Sequence, residues 1–571
     1  MSRRTIRRAG ALSPVSAEPI RRTGAWQGAV RRARAAVTPA WPVLVAATLP
    51  LLAFVLQGGI GLDLADEGFL WYGVQRVLQG EVPLRDFQAY DIGRYYGAAA
   101  WLRLVGDDSL LALRGGHALV AALTVGIATA LVRGHQPAAA GRRGAAAVAT
   151  VMAGVVFTLW MVPDYKVADS FAAVLLCAAL AALVQAPSAR RHGLYGLVLG
   201  VCGMLGINHA AYGVAGFMLF AVWRLAVQRQ GSGWQEMAAL AAGAFLGYAP
   251  GLAFHLFVPG FFAAFVDGLR QLVEAGTTNL KLPWPPLDAM LQAQPDRFTG
   301  ISKSLLALAF IATPLFWLVC APYLLRRADT AAVTPPPAFV AGALLSLPYA
   351  HYAWSRADTA HLAVSVLPLC IAILSAPWWP RQLRLPVTLL GLAWSAFIAL
   401  PLHAGFAVLR GYSMVPVSVQ GTALQVRPGV AVTLRMIEGL AAIHATQGRA
   451  FYAGPYWPGA YAVMGQRAPV HEIYALFPAS SVRQQREIAR LASTDLGFAA
   501  ISSDRVDRRT DLGFDRTHPQ LLDYLRRCLP LRNVVPATGS KVEILLAAPA
   551  GAQTPRGNCT AATPVPAGES R

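Results

Sequence analysis

Residues 41–67 read WPVLVAATLPLLAFVLQGGIGLDLADE. The apolar run extends almost unbroken to Leu56, and the acidic pair Asp66-Glu67 follows shortly after it. About 20 mostly apolar residues suffice to cross a bilayer, so 39–59 reads as a membrane span. It starts too far into the chain and runs too long for a cleaved signal peptide. The preceding pairs Arg3-Arg4 and Arg7-Arg8 therefore read as a cytoplasmic anchor, with a twin-arginine export signal as the weaker reading.

Working outward, further spans are expected at 109–132, 144–162, 167–186, 193–207, 209–228, 236–258, 304–325, 336–354, 360–377 and 385–409. Composition agrees. Of 571 residues, 55% are hydrophobic and 14% charged, against about 25% charged in soluble proteins. A soluble globular chain is excluded, and a disordered one more strongly. The net charge is +20, yet only Lys166, Lys281, Lys303 and Lys541 are lysines. Without any RNA or DNA motif, this basic excess reads as positive-inside anchoring, and no nucleic-acid partner is expected.

The arginines set the orientation. With the start of the chain inside, the cytoplasmic turns carry Arg133/Arg142/Arg143, Arg190/Arg191, Arg224/Arg229, Arg326/Arg327 and Arg381/Arg384. The opposite loop 60–108 holds eight acids against four arginines. The expectation is an all-α polytopic membrane bundle of about eleven transmembrane helices, with a small C-terminal α/β extracytoplasmic domain. Residues 1–38 form an Arg-rich cytoplasmic segment, expected to be disordered. Residues 39–410 form the bundle, with exported loops 60–108 and 259–303, and 411–571 the outer domain. The location implied is a bacterial inner membrane.

In loop 60–108, Phe69, Tyr72, Val74, Val77 and Leu78 recur at helical spacing. A helix lying in the membrane interface is expected, with Trp71 and Tyr72 at headgroup depth. A second amphipathic stretch lies near 261–275. In the C-terminal region helices are expected at 432–443, 481–492 and 518–527, and strands at 449–453, 498–502 and 541–547. The tail after about 549 is expected to be loose. Cys528 and Cys559 could form a disulfide there; two free thiols fit equally.

Charged residues at membrane depth are costly, so their placement is informative. Asp66, Glu67, Asp91, Arg94, Asp164, Lys166, Asn208, His209, Arg356, Asp358 and His361 sit at expected outer ends of spans. Outer ends of different spans can converge, and Asp66, Asp164, Arg356 and His361 are expected to line one cavity. Carboxylates beside Arg, Lys and His suit a site that holds phosphate and activates a hydroxyl. The plainer alternative is that span ends are polar because they touch headgroups and water. Within Asp66-Glu67, either carboxylate could take a proton while the other orients the acceptor or holds a divalent metal. No His/Cys spacing demands a metal.

The stretch Asp63–Gly97, DLADEGFLWYGVQRVLQGEVPLRDFQAYDIGRYYG, resembles the first periplasmic loop of the GT-C glycosyltransferases. These integral-membrane enzymes use polyprenyl-phosphate sugars, and they include protein O-mannosyltransferases and lipid A aminoarabinose transferases. The shared features are the acidic pair, an amphipathic helix, a Gly-x-x-Pro turn at Gly80–Pro83 and an aromatic stretch. Ser355-Arg356-Ala357-Asp358 with His361, and Gly206-Ile207-Asn208-His209, resemble further family segments. The resemblance implies Asp66 as catalytic base, Glu67 in support, and a donor phosphate met by Arg94, Lys166, His209, Arg356 or His361. It implies inverting transfer to a hydroxyl of a cell-envelope acceptor, whether lipid, glycan or protein. Phosphate leaves readily, so no general acid is required; no cofactor is required, and a divalent metal is possible. A transporter or flippase of lipid-linked glycans, and a scaffold displaying 411–571, are the alternatives.

Overall fold

The computed structural model describes residues 40–134, 143–275, 279–325, 335–380, 382–537 and 540–547. The segment 1–38, Arg142, Arg326, Arg327, Arg381, Cys559 and the tail after 549 lie outside them. The first span is α1 (Trp41–Gln57). Loop 60–108 folds into α2 (Asp66–Leu78) and α3 (Ile92–Val105). The bundle continues as α4 (Leu110–Arg133), α5 (Arg143–Leu159), α6 (Val167–Gln185), α7 (Ala189–Leu205), α8 (Ile207–Trp223) and α9 (Trp234–Phe257). Next come the amphipathic α10 (Phe261–Ala275), then α11 (Arg297–Leu324), α12 (Pro337–Ser355), α13 (Thr359–Leu374) and α14 (Arg384–Ala399). Each expected span falls on a helix. Among the described residues six helices are long and apolar enough to cross a membrane, and others are shorter and apolar. The chain is a multi-pass membrane protein.

Three helices form the centre. Leu176 and Leu180 of α6, Phe339 and Leu345 of α12, and Leu367 and Ile371 of α13 are fully buried. Beside them α7 and α9 touch backbone to backbone. A Cβ on Gly196 would collide with the Leu240 carbonyl, and one on Gly243 with that of Gly193. In lipid, where apolar burial gives little drive between helices, such close packing holds spans together.

After α14, the short α15 (Ala404–Leu409) leads to a hairpin of β1 (Val415–Val419) and β2 (Thr422–Val426), which the sequence reading did not anticipate. β2 also exchanges backbone hydrogen bonds with the chain leaving α1: Gln425 donates to Gly59 at 2.8 Å and accepts from Gly61 at 2.7 Å. The remainder is α16 (Pro428–His444), β3 (Ala450–Gly454), α17 (Pro458–Met464), α18 (Ser481–Ala492), β4 (Leu496–Ser502), α19 (Pro519–Cys528), β5 (Leu531–Ala537) and β6 (Ser540–Leu546). The strands order as β3-β4-β6-β5, with β3 and β4 parallel and the other pairs antiparallel. The C-terminal unit is therefore α/β, and β5 is a strand that patterning missed.

One expectation is corrected. α2 does not lie among headgroups: Trp71 is 0% and Tyr72 1% exposed. The helix is wedged between the bundle and the C-terminal unit. A Cβ on Gly68 would overlap the Gly459 backbone at the start of α17. The Tyr72 hydroxyl accepts the Ala468 N–H at 3.0 Å, and Trp71 Nε1 donates to the Asp108 carbonyl at 3.1 Å. Helical spacing showed one apolar face; the other face is covered by a segment four hundred residues away in sequence.

Candidate functional site

The site begins at the turn into α2. Asp63 accepts the backbone N–H groups of Ala65 at 2.9 Å, Asp66 at 3.1 Å and Glu67 at 3.4 Å. A carboxylate here satisfies the open N–H groups of a helix start and suits its dipole. The turn sends Asp66 and Glu67 to different partners. Asp66 Oδ2 accepts the Tyr165 hydroxyl at 2.9 Å, and Oδ1 accepts the Tyr474 hydroxyl at 2.9 Å. Tyr165 lies in the turn before α6, and Tyr474 comes from the C-terminal unit. Burial, with Asp66 beside it, holds the Tyr474 hydroxyl well above its ordinary range, so it stays a neutral donor.

Glu67 is buried and meets Arg114 of α4 with both oxygens, at 2.6 and 2.7 Å. Arg114 also donates to the carbonyls of Gly58 at 2.6 Å and Gly61 at 3.0 Å. The pair thus fastens the α1–α2 connection onto α4. Among the described residues no three His, Cys, Asp or Glu side chains gather as metal ligands.

On the side of Tyr165 stands Lys166, with Asp358, Asp169 and Asp66 all within electrostatic reach. Its Nζ is 3.2 Å from His361 Nε2 and 5.8 Å from the Tyr352 ring centre. His361 Nδ1 is 2.8 Å from Asp358 Oδ1, which sets Nδ1 as the proton-bearing nitrogen, so Nε2 accepts from the Asn279 amide at 2.9 Å while Lys166 lies against the ring, 3.5 Å from Nδ1. Asp358 also accepts the His361 backbone N–H at 2.8 Å, capping α13. Arg356 donates to Asp358 at 2.7 Å and to both oxygens of Asp507 at 2.6 and 2.7 Å.

A third group braces these two. Arg94 of α3 donates to Asp169 at 2.9 Å and to the Leu205 carbonyl at 2.8 Å. His209 places Nε2 2.8 Å from Asp169 and Nδ1 2.9 Å from the Tyr349 hydroxyl. Tyr90 connects the groups: its ring centre is 5.5 Å from the Arg94 guanidinium, and it lies within electrostatic reach of Asp66 and Asp169. Asp91 stands at the start of α3 beside Arg94, and burial pushes its carboxyl up. Asn208 is half-buried at the start of α8.

The structure therefore brings Asp66, Lys166, Arg356, Asp358 and His361 into one connected group, with Arg94, Asp91, Asn208 and His209 adjoining. Asp164 faces elsewhere. It lines a cavity of about 390 Å³ together with Asp63, Glu67, Arg114 and Tyr165. Asp66, Arg356 and His361 do not line that cavity, so the single chamber expected from the sequence is two regions sharing the Tyr165 wall. Asp63, Arg114, Tyr165, Asp169, Tyr474 and Asp507 were not anticipated. Arg114 and Asp169 did carry a signal, being charges inside apolar runs. Cys528 ends α19, and its candidate partner Cys559 is outside the described residues.

No family model and no curated protein matches the chain. Solved structures do. The crystal structure of ArnT from Cupriavidus metallidurans bound to undecaprenyl phosphate aligns with TM-score 0.50 and 14% identity, covering 89% of this chain and 99% of that one. The apo form of the same protein aligns with TM-score 0.50 and 14% identity, over 90% and 100%. The Archaeoglobus fulgidus oligosaccharyltransferase aligns with TM-score 0.43 and 11% identity, over 80% and 68%. At these identities the likeness to ArnT is one of fold alone.

Proposed function

We propose that this chain is a membrane glycosyltransferase, moving a sugar from a polyprenyl-phosphate donor to a hydroxyl of a cell-envelope acceptor. The observation that carries the reading is Asp66: a carboxylate fixed by two tyrosine hydroxyls and standing within electrostatic reach of Lys166. The solved ArnT structure holds undecaprenyl phosphate, and a ligand of that class suits this arrangement.

In the proposed reaction the acceptor hydroxyl replaces one tyrosine at Asp66 and gives up its proton to that carboxylate. The acceptor oxygen attacks the anomeric carbon from the face opposite the phosphate, so configuration inverts. The bond to the phosphate oxygen breaks, and Lys166, oriented by His361 and Asp358, meets the charge that develops there. Arg94 and His209, both spent on Asp169, hold the floor of the site rather than the phosphate. Arg356 secures the C-terminal unit through Asp507. Glu67, saturated by Arg114, positions the turn that presents Asp66. The basic turns support an orientation with the N-terminus in the cytoplasm and the site, with 411–571, on the outer face of a bacterial inner membrane.

The test is Asp66→Asn in membranes supplied with labelled polyprenyl-phosphate sugar. Asn keeps the shape and can still accept one tyrosine hydroxyl through its carbonyl oxygen while its NH2 donates to the other tyrosine oxygen, but it cannot take the proton. Transfer should fall by about two to four orders of magnitude, with donor binding and thermal stability retained. Full activity in a folded variant would reject the base and the reading with it.

A further inference from the structure

The cavity of about 390 Å³ is within the range of small-molecule sites, about 300–1,000 Å³. Its wall is built from Pro50, Ala53 and Phe54 of α1, Ala118 and Ala121 of α4, and Met161 before α6. Its polar end is different. Asp63, Glu67 and Asp164 meet there, and the guanidinium beside them, Arg114, is already occupied by Glu67 and the Gly58 and Gly61 carbonyls. Asp164 has a half-open side chain, 43% exposed, with Arg114 only at 3.8 Å. Arg427, also in the lining, is stacked 4.7 Å from the Tyr412 ring centre. The buried Nδ1 of His117, in the same wall, has no hydrogen-bond partner among the described residues.

This is an amphiphile-shaped space whose polar end offers acceptors and repels anions. A phosphate placed there would face Asp63 and Asp164, with Arg114 held by Glu67 and only Arg427, at the Tyr412 ring, as a counter-charge, and would be disfavoured. A head bearing uncharged hydroxyls would donate to Asp63 and Asp164 at no such cost. Tyr165 belongs to this wall and also donates to Asp66 at 2.9 Å, so one hydroxyl separates the cavity from the proposed base.

We infer that this cavity is the acceptor site, and that the acceptor is a membrane-embedded amphiphile with a neutral polyol head. Its chain lies along α1 and α4, its head meets Asp63 and Asp164, and its reacting hydroxyl takes the place of Tyr165 at Asp66. The inference rests on the glycosyltransferase reading for the word acceptor, but its binding claim stands apart from turnover.

The test uses the whole protein in lipid nanodiscs and a dodecyl β-D-glucoside carrying a photoreactive diazirine on its chain. After irradiation, peptide mass spectrometry should place the label on the segments holding Phe54, Ala121 and Met161. Unlabelled dodecyl glucoside should displace it, and dodecyl phosphate should need about tenfold more. Asp164→Arg should remove that preference. Ala407→Phe, which fills the cavity from the half-buried face of α15, should abolish labelling. Label elsewhere, or equal displacement by both amphiphiles in the unaltered protein, would overturn the inference, the second result marking an ordinary phospholipid site. The unaltered protein decides this even if a variant fails to fold. Labelling needs no transfer, so its failure leaves the Asp66 assay untouched, and a failed Asp66 assay leaves the labelling result standing.

Discussion

Arg356 and Asp507 form a two-pronged ion pair, at 2.6 and 2.7 Å, between the α12–α13 turn and the loop after β4. The side chains are 17% and 14% exposed, so solvent screens them little. Asp507 and Arg508 both have left-handed backbones, with φ of 56° and 59°, a conformation costly for residues with a Cβ. The ion pair holds a loop that would otherwise relax. Asp507→Ala should lower stability by about 1.5–3 kcal/mol, the worth of hydrogen bonds to a charged group. Arg356→Lys should cost a similar amount, since Lys keeps the charge but loses the planar fork. Thermal melts and limited proteolysis of the loop check both. Tighter donor binding in Asp507→Ala would show instead that Arg356 serves the phosphate.

Tyr474→Phe removes from Asp66 the donor that the acceptor hydroxyl does not displace. That hydrogen bond is worth about 0.5–1.5 kcal/mol, so transfer should slow by about 2- to 10-fold. Tyr165→Phe should slow it less, because the acceptor hydroxyl takes the place of Tyr165 at Asp66. Rates measured at saturating donor test this, and an unchanged rate in Tyr474→Phe would separate the C-terminal unit from the chemistry.

Glu67→Gln should act on folding before chemistry. Breaking a buried ion pair from one side leaves a lone charge and costs about 3–5 kcal/mol. Replacing both partners, as Glu67→Gln with Arg114→Met, should recover much of that loss. The comparison is thermal stability of the single and double variants in one detergent. A stable, inactive Glu67→Gln would give Glu67 a direct part in the reaction.

Asp63 supplies a pH signature. Its side chain is exposed where it opens onto the cavity, and the protein packed around it, with Asp66 adding, pushes its carboxyl up to about 6. Between the ordinary carboxylate range and pH 6 the folded protein therefore binds more protons than the unfolded chain, so this group's contribution to stability falls as pH rises through that window. Asp63→Asn does not titrate. The melting temperature of the variant minus that of the unaltered protein should climb as pH rises toward 6 and level off above it. A flat difference would contradict the assignment.

The spans were legible because each is apolar along its own length, and that property needs no partner. Patterning also placed α16, α18 and α19 of the C-terminal unit and the strands β3, β4 and β6, but not the β1–β2 hairpin or α17. It missed β5, whose run Leu531–Ala537 contains Arg, Asn and Pro. Asp66 could be singled out by its place after the first span. Its partners could not, since Tyr165 and Tyr474 lie 99 and 408 residues away. Arg94 and His209 were read as free for phosphate because Asp169, which engages both, sits one turn inside an apolar helix and was passed over. Trp71 and Tyr72 were misplaced for a similar reason: nothing local in α2 reveals that Gly459 and Ala468 cover it.

Tyr474 ties the order of synthesis to reactivity. A ribosome makes α1 and α2 early and reaches residue 474 only after every span has been produced. Until then Asp66 lacks one of its two donors, and α2 lacks the cover that Gly459 and Ala468 provide. A nascent chain thus carries an inserted bundle with an unfinished acid, and the carboxylate is set in place only when the final third of the protein has closed over it. A chain broken off before residue 474 would lack the second donor to Asp66.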